Sequence, residues 1–357
     1  MKQDHSSKVN SRSRRSTPKK AAPDRVSVSP SRKSTNKKKL TSNVNTLLVH
    51  FQLRFATQYG QQVFVTGNHA LLGNNSVENA LPLQYFNENY WMTTLEIPRG
   101  SIPAEGITYH YLIQQENGNI DHEWGSAKQI THAESMFKEL TLIDSWNHAG
   151  YIENAFDTEP FQQVLLHRSA SANLTTDTTN ATHTFVVKAP LLEPEETICI
   201  LGNSTTLQNW ATEQPLLLGY DAATATFQGS FDLSGDSFPI AYKYGVYNWK
   251  KKEFVRYETG NNRVTYERAQ PSGQVKLHDG FAWLPNNTWK GTGIAIPVFS
   301  IRTQKSFGVG EFNDLHALVD WAASIGMKMI QLLPVNDTTA THTDADTYPY
   351  AAISAFA

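Results

Sequence analysis

The chain has 357 residues, of which 39% are hydrophobic, 11% aromatic and 18% charged, and its formal net charge is −2. This length exceeds a common domain of roughly 100–200 residues, so we expect several folded units. The composition excludes wholesale disorder and a membrane bundle, because no stretch approaches the roughly 18 apolar residues that cross a bilayer. The single Cys199 cannot form an internal disulfide, and the basic N-terminus lacks the apolar core of a signal peptide. We therefore expect a cytoplasmic protein with no membrane partner.

The charge is distributed unevenly along the chain. Residues 1–40 hold 13 Lys and Arg against two Asp, a balance of +11, whereas the rest holds 18 basic and 31 acidic residues, a balance of −13. Because the first segment has no aromatic residue, residues 1–45 are predicted to form a disordered basic tail. Such a tail has the charge to bind nucleic acid, although we favour a solvated terminal arm.

Short runs of alternating apolar and polar residues follow the tail and predict half-buried antiparallel strands. The first series is Val49–Phe55, Gln62–Thr66, Trp91–Ile97 and Tyr109–Ile113. The second series is Thr184–Lys188, Thr197–Leu201, Phe227–Leu233, Ala241–Val246 and Phe254–Tyr257. A stretch rich in Ser, Thr and Asn lies between them, so we predict β-sandwiches over residues 46–167 and 183–285 joined by a flexible connector at 168–182.

The two series repeat the same short motifs in the same order. The turn Val65–Asn68 corresponds to Ile200–Asn203, and a Tyr-x-Tyr strand and a Glu-x-Gly turn follow in each series. This ordered set resembles the starch-binding domains of carbohydrate-binding module family 20. The resemblance implies two antiparallel β-sandwiches of immunoglobulin-like fold, each with positions for two glucan sites.

The resemblance also implies which residues contact glucan at one of these sites. In the second copy the matching residues are Trp210, Lys243 and Tyr257. In the first copy the same positions are expected to hold Asn75, Leu112 and His122, with Trp124 as a partial substitute. We therefore predict that the first copy has lost this site.

The other family site is predicted for the first copy. There Tyr59 and Trp91 match the family aromatics, and Tyr85 lies near a third, whereas the second copy has Pro194 and Phe227. Each copy is thus predicted to keep one site, and a different one, with aromatic rings that lie bare and stack on glucose units. The other Trp residues are expected in core or interdomain packing: Trp146, Trp249, Trp283 and Trp289.

The last seventy residues change to an alternation of strand and helix patterns. An apolar run at Ile294–Val298 is followed by helical spacing from Leu315 to Ile325 and a second apolar run at Met327–Leu333, which predicts the first βαβ part of a (β/α)8 barrel over residues 286–357. The segments Ser306–Phe312 and Gln331–Val335, with the loop around Tyr350, resemble the opening of glycoside hydrolase family 77, the amylomaltase-type 4-α-glucanotransferases. By that resemblance Tyr350 lines the sugar subsites.

The order of these parts is similar to that of the type two disproportionating enzymes of plants and protists. The resemblance implies retaining double displacement by three carboxylates of later barrel strands. We expect this chain to lack them and to be inactive alone, and we assign no such role to Asp337, Asp344 or Asp346. The predicted ligands are starch, glycogen and maltooligosaccharides, with no cofactor or metal. The alternatives are a non-enzymatic glycogen or starch adaptor ending at residue 357 and, less favoured, a nucleic-acid-associated protein.

Overall fold

The structure, a computed structural model, describes residues 45–166, 181–285, 288–335, 341 and 343. The first copy contains nine strands: β1 Thr46–Arg54, β2 Gln62–Gly67, β3 Leu81–Pro82, β4 Gln84–Asn87, β5 Tyr90–Pro98, β6 Ile107–Gln114, β7 Ile120–His122, β8 Lys128–Ile130 and β9 Glu139–Ser145. The second copy contains another nine: β10 His183–Lys188, β11 Glu196–Gly202, β12 Leu216–Leu217, β13 Gly219–Asp221, β14 Thr226–Phe231, β15 Ile240–Asn248, β16 Glu253–Tyr257, β17 Arg263–Thr265 and β18 Gly273–Phe281. The predicted all-β architecture is confirmed.

Short single-turn helices connect these strands. They span Ala70–Asn75, Arg99–Ser101, Glu134–Met136, Ile152–Asp157, Pro160–Leu165, Gln208–Trp210 and Val298–Ser300. Among the helices of the described ranges, none has the length and apolar character needed to cross a bilayer.

The two copies share one sheet. Its eight strands run in the order β13-β14-β10-β18-β9-β1-β5-β4, and a separate smaller sheet belongs to each copy, built on β2 and β6 in the first and on β11 and β15 in the second. The last strands of the two copies pair directly and in parallel, with Gly273 opposite Glu139 and His278 opposite Asp144. The copies are therefore not independent modules on a tether, as the predicted connector suggested; residues 168–180 of that connector lie outside the described residues.

Successive residues of the shared sheet serve different cores, because side chains alternate between its faces. On β9, Leu142 belongs to the core of the first copy and Ile143 to that of the second. On β18, Val275 and Leu277 enter the second core, whereas Lys276 reaches Glu134 of the first copy at 2.8 Å. The two sandwiches thus lie against opposite faces of one continuous sheet.

Two buried carboxylates, one in each copy, stabilise this junction, because each binds a side chain of the other copy. Asp144 of the first copy accepts hydrogen bonds from Tyr109 and Tyr111 of its own copy, at 3.0 and 2.6 Å, and from His278 of the second.

Asp279 of the second copy occupies the corresponding position. It accepts hydrogen bonds from Tyr242 and Tyr244, at 2.8 and 2.7 Å, and pairs at 2.5 Å with Arg54 of the first copy. Each copy therefore supplies a hydrogen-bonding side chain to the other's carboxylate.

The C-terminal part forms a strand, helix, strand unit, as predicted. Strand β19 at Gly293–Ile296 pairs in parallel with β20 at Met329–Leu332, and helix α1 spans Asp314–Ser324 between them. The positive φ of Gly326, 78°, follows the helix end, a position that favours glycine.

Candidate functional site

The second copy brings two of its three predicted residues, Trp210 and Tyr257, into contact. The rings of Trp210 and Tyr257 meet edge to face with their centroids 6.4 Å apart, and the Tyr257 hydroxyl donates to the Trp210 carbonyl at 3.4 Å. Both rings are partly exposed, and Phe254 supports Tyr257 with ring centroids 4.6 Å apart. Partial burial raises the pKa of Tyr257, so its hydroxyl stays protonated at neutral pH.

Trp210 is presented by a turn of unusual backbone conformation. Residues Gln208, Asn209 and Trp210 have φ values of 66°, 47° and 66°, a region that non-glycine residues seldom occupy. The turn is held by a hydrogen bond from the Asn209 N–H to the Ser204 carbonyl at 3.0 Å. Backbone strain of this kind concentrates at functional sites, because the surrounding structure must hold it in place.

Lys243 lies between the buried Tyr242 and Tyr244 and points away from the core, since strand side chains alternate. Its ammonium group donates to the Gly260 carbonyl at 2.8 Å and is partly exposed. The group retains further donor capacity for a ligand hydroxyl beside Tyr257.

Two predicted residues of the first copy, Tyr85 on β4 and Trp91 on β5, lie at one end of the shared sheet. They meet edge to face, with ring centroids 5.6 Å apart, and Tyr85 is exposed. The third, Tyr59, lies in the loop between β1 and β2 and is 99% exposed. The two tyrosines therefore present exposed aromatic surface.

Trp91 does not lie bare on the surface, so that expectation is wrong. It is 8% exposed and belongs to the core of the first copy, and its indole N–H donates to Thr57 at 3.2 Å. The reason is that Trp91 pairs with Leu53 of β1, whose side chain is in the same core. Trp91 thus supports Tyr85, and its own contact with a ligand stays a prediction.

The strand registers also correct the comparison between the copies. In the second copy Lys243 lies opposite Leu201, next to the Gly202 of the turn, and in the first copy His110 lies opposite Thr66, next to Gly67. His110, not Leu112, therefore holds the Lys243 position. Its ring stacks on that of His122 with centroids 6.3 Å apart.

Two of the four remaining tryptophans differ from expectation. Trp146 is buried and Trp289 contacts the ring of Phe161 at 5.4 Å, as core or interdomain packing predicts. Trp249 and Trp283 are instead 44% and 61% exposed. Both follow the end of a long strand, and that position was the available signal that they leave the core.

The described residues offer no other centre of chemistry. No three His, Cys, Asp or Glu side chains among them are grouped to hold a metal. Cys199 is buried, and burial raises the pKa of its thiol to about 12. Tyr350, Asp337, Asp344 and Asp346 lie outside the described residues.

Comparison with known proteins gives two family matches. The starch-binding domain family matches residues 46–141 and 181–276, which is more than half of the chain. The 4-alpha-glucanotransferase family of glycoside hydrolases matches residues 296–357.

Individual relatives are similar to this chain over different lengths. The 4-alpha-glucanotransferase DPE2 of Oryza sativa subsp. japonica is 31% identical over 335 residues, which cover 88% of this chain and 34% of that protein. The 4-alpha-glucanotransferase of Chlamydia pneumoniae is 41% identical over 96 residues, or 27% of this chain and 16% of that protein. This chain thus spans about a third or less of these relatives.

Among solved structures, the family 20 module of the maltotetraose-forming amylase from Pseudomonas saccharophila is 18% identical. The match covers 27% of this chain and 97% of that one, with a TM-score of 0.23 over the whole chain.

Proposed function

Because this chain belongs to the starch-binding domain family, of which it carries two copies, we propose that it binds α-1,4-glucans such as starch and glycogen through different residues in each copy. In the second copy the proposed contacts are Trp210, Lys243 and Tyr257. In the first they are Tyr59 and Tyr85, with Trp91 supporting Tyr85. The observation that carries the proposal is the contact between the partly exposed rings of Trp210 and Tyr257, with Lys243 directed outward from the same sheet.

The chemistry of these residues suits an α-glucan. A glucose unit presents an apolar C–H face and a rim of hydroxyls, so a binder needs an exposed aromatic plane with hydrogen-bonding groups at its edge. The Tyr257 hydroxyl, which contacts the Trp210 carbonyl, supplies one such group, and the Lys243 ammonium supplies another on the neighbouring strand of the same sheet. Each sugar hydrogen bond contributes only about 1 kcal/mol, so two surfaces on one body favour a polymeric ligand.

The rest of the proposal concerns the protein to which these copies belong. The match of residues 296–357 supports a 4-α-glucanotransferase, which would pass glucosyl units from maltose or maltooligosaccharides to a glucan acceptor by retaining double displacement. In that reaction the two starch-binding copies would hold the acceptor. Tyr350 would line the sugar subsites, and we further propose a cytoplasmic location and no need for a cofactor.

Mobility in native gels that contain amylopectin tests glucan binding. The wild-type chain should be retarded relative to a gel without polysaccharide, and the Tyr59→Ala/Trp210→Ala variant should be retarded much less. The variant Tyr151→Ala/Trp249→Ala is a matched control, because it removes one exposed Tyr from the first copy and one exposed Trp from the second. Equal retardation of wild type and Tyr59→Ala/Trp210→Ala would refute the proposal.

A separate measurement addresses catalysis. We propose that residues 1–357 alone perform no transfer, since the resemblance assigns the three catalytic carboxylates to barrel strands later than the strand, helix, strand unit. Incubation with maltose and glycogen should then release no glucose, and glucose release would contradict this part of the proposal while leaving glucan binding intact.

A further inference from the structure

A buried glutamate organises the same set of contacts in both copies. In the second copy Glu258 accepts the Tyr244 N–H at 3.0 Å and the Trp283 N–H at 3.1 Å, and the Thr259 N–H donates to the Trp283 carbonyl at 2.8 Å. Arg263 closes this set with a hydrogen bond to Glu258 at 2.8 Å.

The first copy repeats it. Glu123 accepts the Tyr111 N–H at 3.3 Å and the Asn147 N–H at 3.2 Å, and the Trp124 N–H donates to the Asn147 carbonyl at 3.0 Å. Lys128 pairs with Glu123 in the place of Arg263.

This correspondence agrees with the Glu-x-Gly turns in pairing Trp124 with Thr259. It adds a second pair that the sequence pattern did not align, Asn147 with Trp283. Each pair therefore contains one tryptophan, contributed by one strand end in the first copy and by the other in the second. Trp124 is 49% exposed and Trp283 is 61% exposed. Both copies thus place an exposed indole at the strand ends that the buried glutamate joins.

The position of this indole is next to the residues already described. In the second copy Thr259 lies between the Glu258 that follows Tyr257 and the Gly260 whose carbonyl holds Lys243. In the first copy Trp124 follows two residues after His122, which is exposed and stacks on His110. In the second copy the Trp283 backbone is hydrogen-bonded to Thr259, two residues after Tyr257. In the first copy Trp124 lies two residues after His122, which holds the Tyr257 position.

We propose that Trp283 and Trp124 are aromatic platforms for the pyranose face of an α-1,4-glucan. Trp283 extends the surface formed by Trp210, Lys243 and Tyr257. Trp124, with the ring nitrogens of His110 and His122 as partners for hydroxyls, gives the first copy a binding surface where the matching motif residues are absent. The inference rests on the proposed function and adds two tryptophans and a second first-copy surface to it.

The second copy is tested with β-cyclodextrin as the probe, by isothermal titration calorimetry on the full chain. Trp283→Ala should weaken binding about five- to tenfold, the effect of removing one aromatic contact, and Trp283→Phe should recover part of the loss. Trp249→Ala removes an exposed indole elsewhere in the same copy and should leave the affinity unchanged. Equal affinities of wild type and Trp283→Ala overturn this inference alone, whereas no binding by wild type overturns the proposed function with it.

The first copy is tested in the variant Tyr59→Ala/Tyr85→Ala/Trp210→Ala/Tyr257→Ala/Trp283→Ala, which lacks the aromatic contacts of every other proposed surface in both copies. This variant should keep weak β-cyclodextrin binding that Trp124→Ala removes and that Tyr151→Ala, an exposed aromatic of the same copy, does not. Residual binding that survives Trp124→Ala, or no residual binding at all, overturns the first-copy surface. The melting temperature of each variant separates loss of binding from loss of the fold.

Discussion

The two copies have nearly the same interior but different surfaces. Both bury a Tyr-x-Tyr strand whose hydroxyls bind an aspartate of the last strand, and both bury a glutamate that ties the strand ends together. Outside this frame the second copy has Trp210, Lys243 and Tyr257, where the first has Asn75, His110 and His122. Buried polar groups are costly to leave unpaired, so they constrain each other, whereas an exposed ring can be replaced with little effect on the fold.

The largest effect on stability is expected at the two junction carboxylates, which bind different side chains of the other copy: Asp279 binds Arg54, and Asp144 binds His278. Asp279→Asn should destabilise the chain by about 3–5 kcal/mol, because Arg54 stays buried and charged without its partner. Asp144→Asn should cost less, since His278 is able to lose its proton and Arg54 is not. Urea unfolding of the two variants measures the difference, with Glu253→Gln as an exposed control. Equal costs would show that the two junction carboxylates are equivalent.

Substitutions of Trp91 and Tyr59 should distinguish a core residue from a surface residue of the first copy by their cost in stability. Trp91→Ala removes a core side chain and should lower the free energy of unfolding by about 3 kcal/mol. Tyr59→Ala should change it by less than about 0.5 kcal/mol, because the ring is exposed. The same urea titrations give both values, and a stability loss from Tyr59→Ala as large as that from Trp91→Ala would contradict the assignment.

Acid should weaken the junction through Asp144. Burial alone would raise the pKa of this carboxyl, but His278, Lys128 and the Tyr111 hydroxyl lower it to about 2. A carboxyl with a depressed folded-state pKa contributes stability above its unfolded value near 4, and that contribution is lost as the pH falls towards 2.

The expected loss in the free energy of unfolding is about 2 kcal/mol, and urea unfolding at several pH values between 5 and 2 measures it. Asp144→Asn should have a correspondingly smaller pH dependence. An unchanged pH dependence in that variant would mean that other carboxyls dominate acid unfolding.

Lys243 should show the smallest effect. Lys243→Ala removes one donor at the rim of the second-copy surface and should weaken maltoheptaose binding about fivefold, equivalent to about 1 kcal/mol. Lys251→Ala, at an exposed lysine elsewhere in the same copy, should not change that affinity. Titration calorimetry on both variants checks the pair, and an equal or larger loss from Lys251→Ala would contradict the role of Lys243.

The sequence predicted the sandwiches well because their strands alternate over one buried face. The strand predicted at Val49–Phe55 is observed at Thr46–Arg54, and the strand predicted at Ala241–Val246 is observed at Ile240–Asn248. The shared sheet was not predictable in this way, since strands β9 and β18 pair across more than a hundred residues and are buried on both faces. An alternating pattern predicts that the polar side chains of a strand face solvent. It therefore did not show that His278 and Arg54 form the contacts between the two copies.

The candidate site was predicted in part. The residues Trp210 and Tyr257 followed from the motif order, and the structure brings their rings together. Trp91 was misjudged because a strand aromatic can face either side, and the register alone decides which. Trp124 was named from the motif order as a partial substitute, whereas Trp283 was placed in core or interdomain packing, because its correspondence runs through hydrogen bonds to a glutamate that a comparison of motifs does not contain.

The central claim is that each copy binds glucan through its own surface. Titration of maltoheptaose into wild type, Tyr59→Ala/Tyr85→Ala and Trp210→Ala/Tyr257→Ala tests it most directly. Each variant should lose binding at one copy and keep the wild-type affinity at the other. Complete loss in one variant with no change in the other would contradict the claim, because a single surface would then account for all the binding.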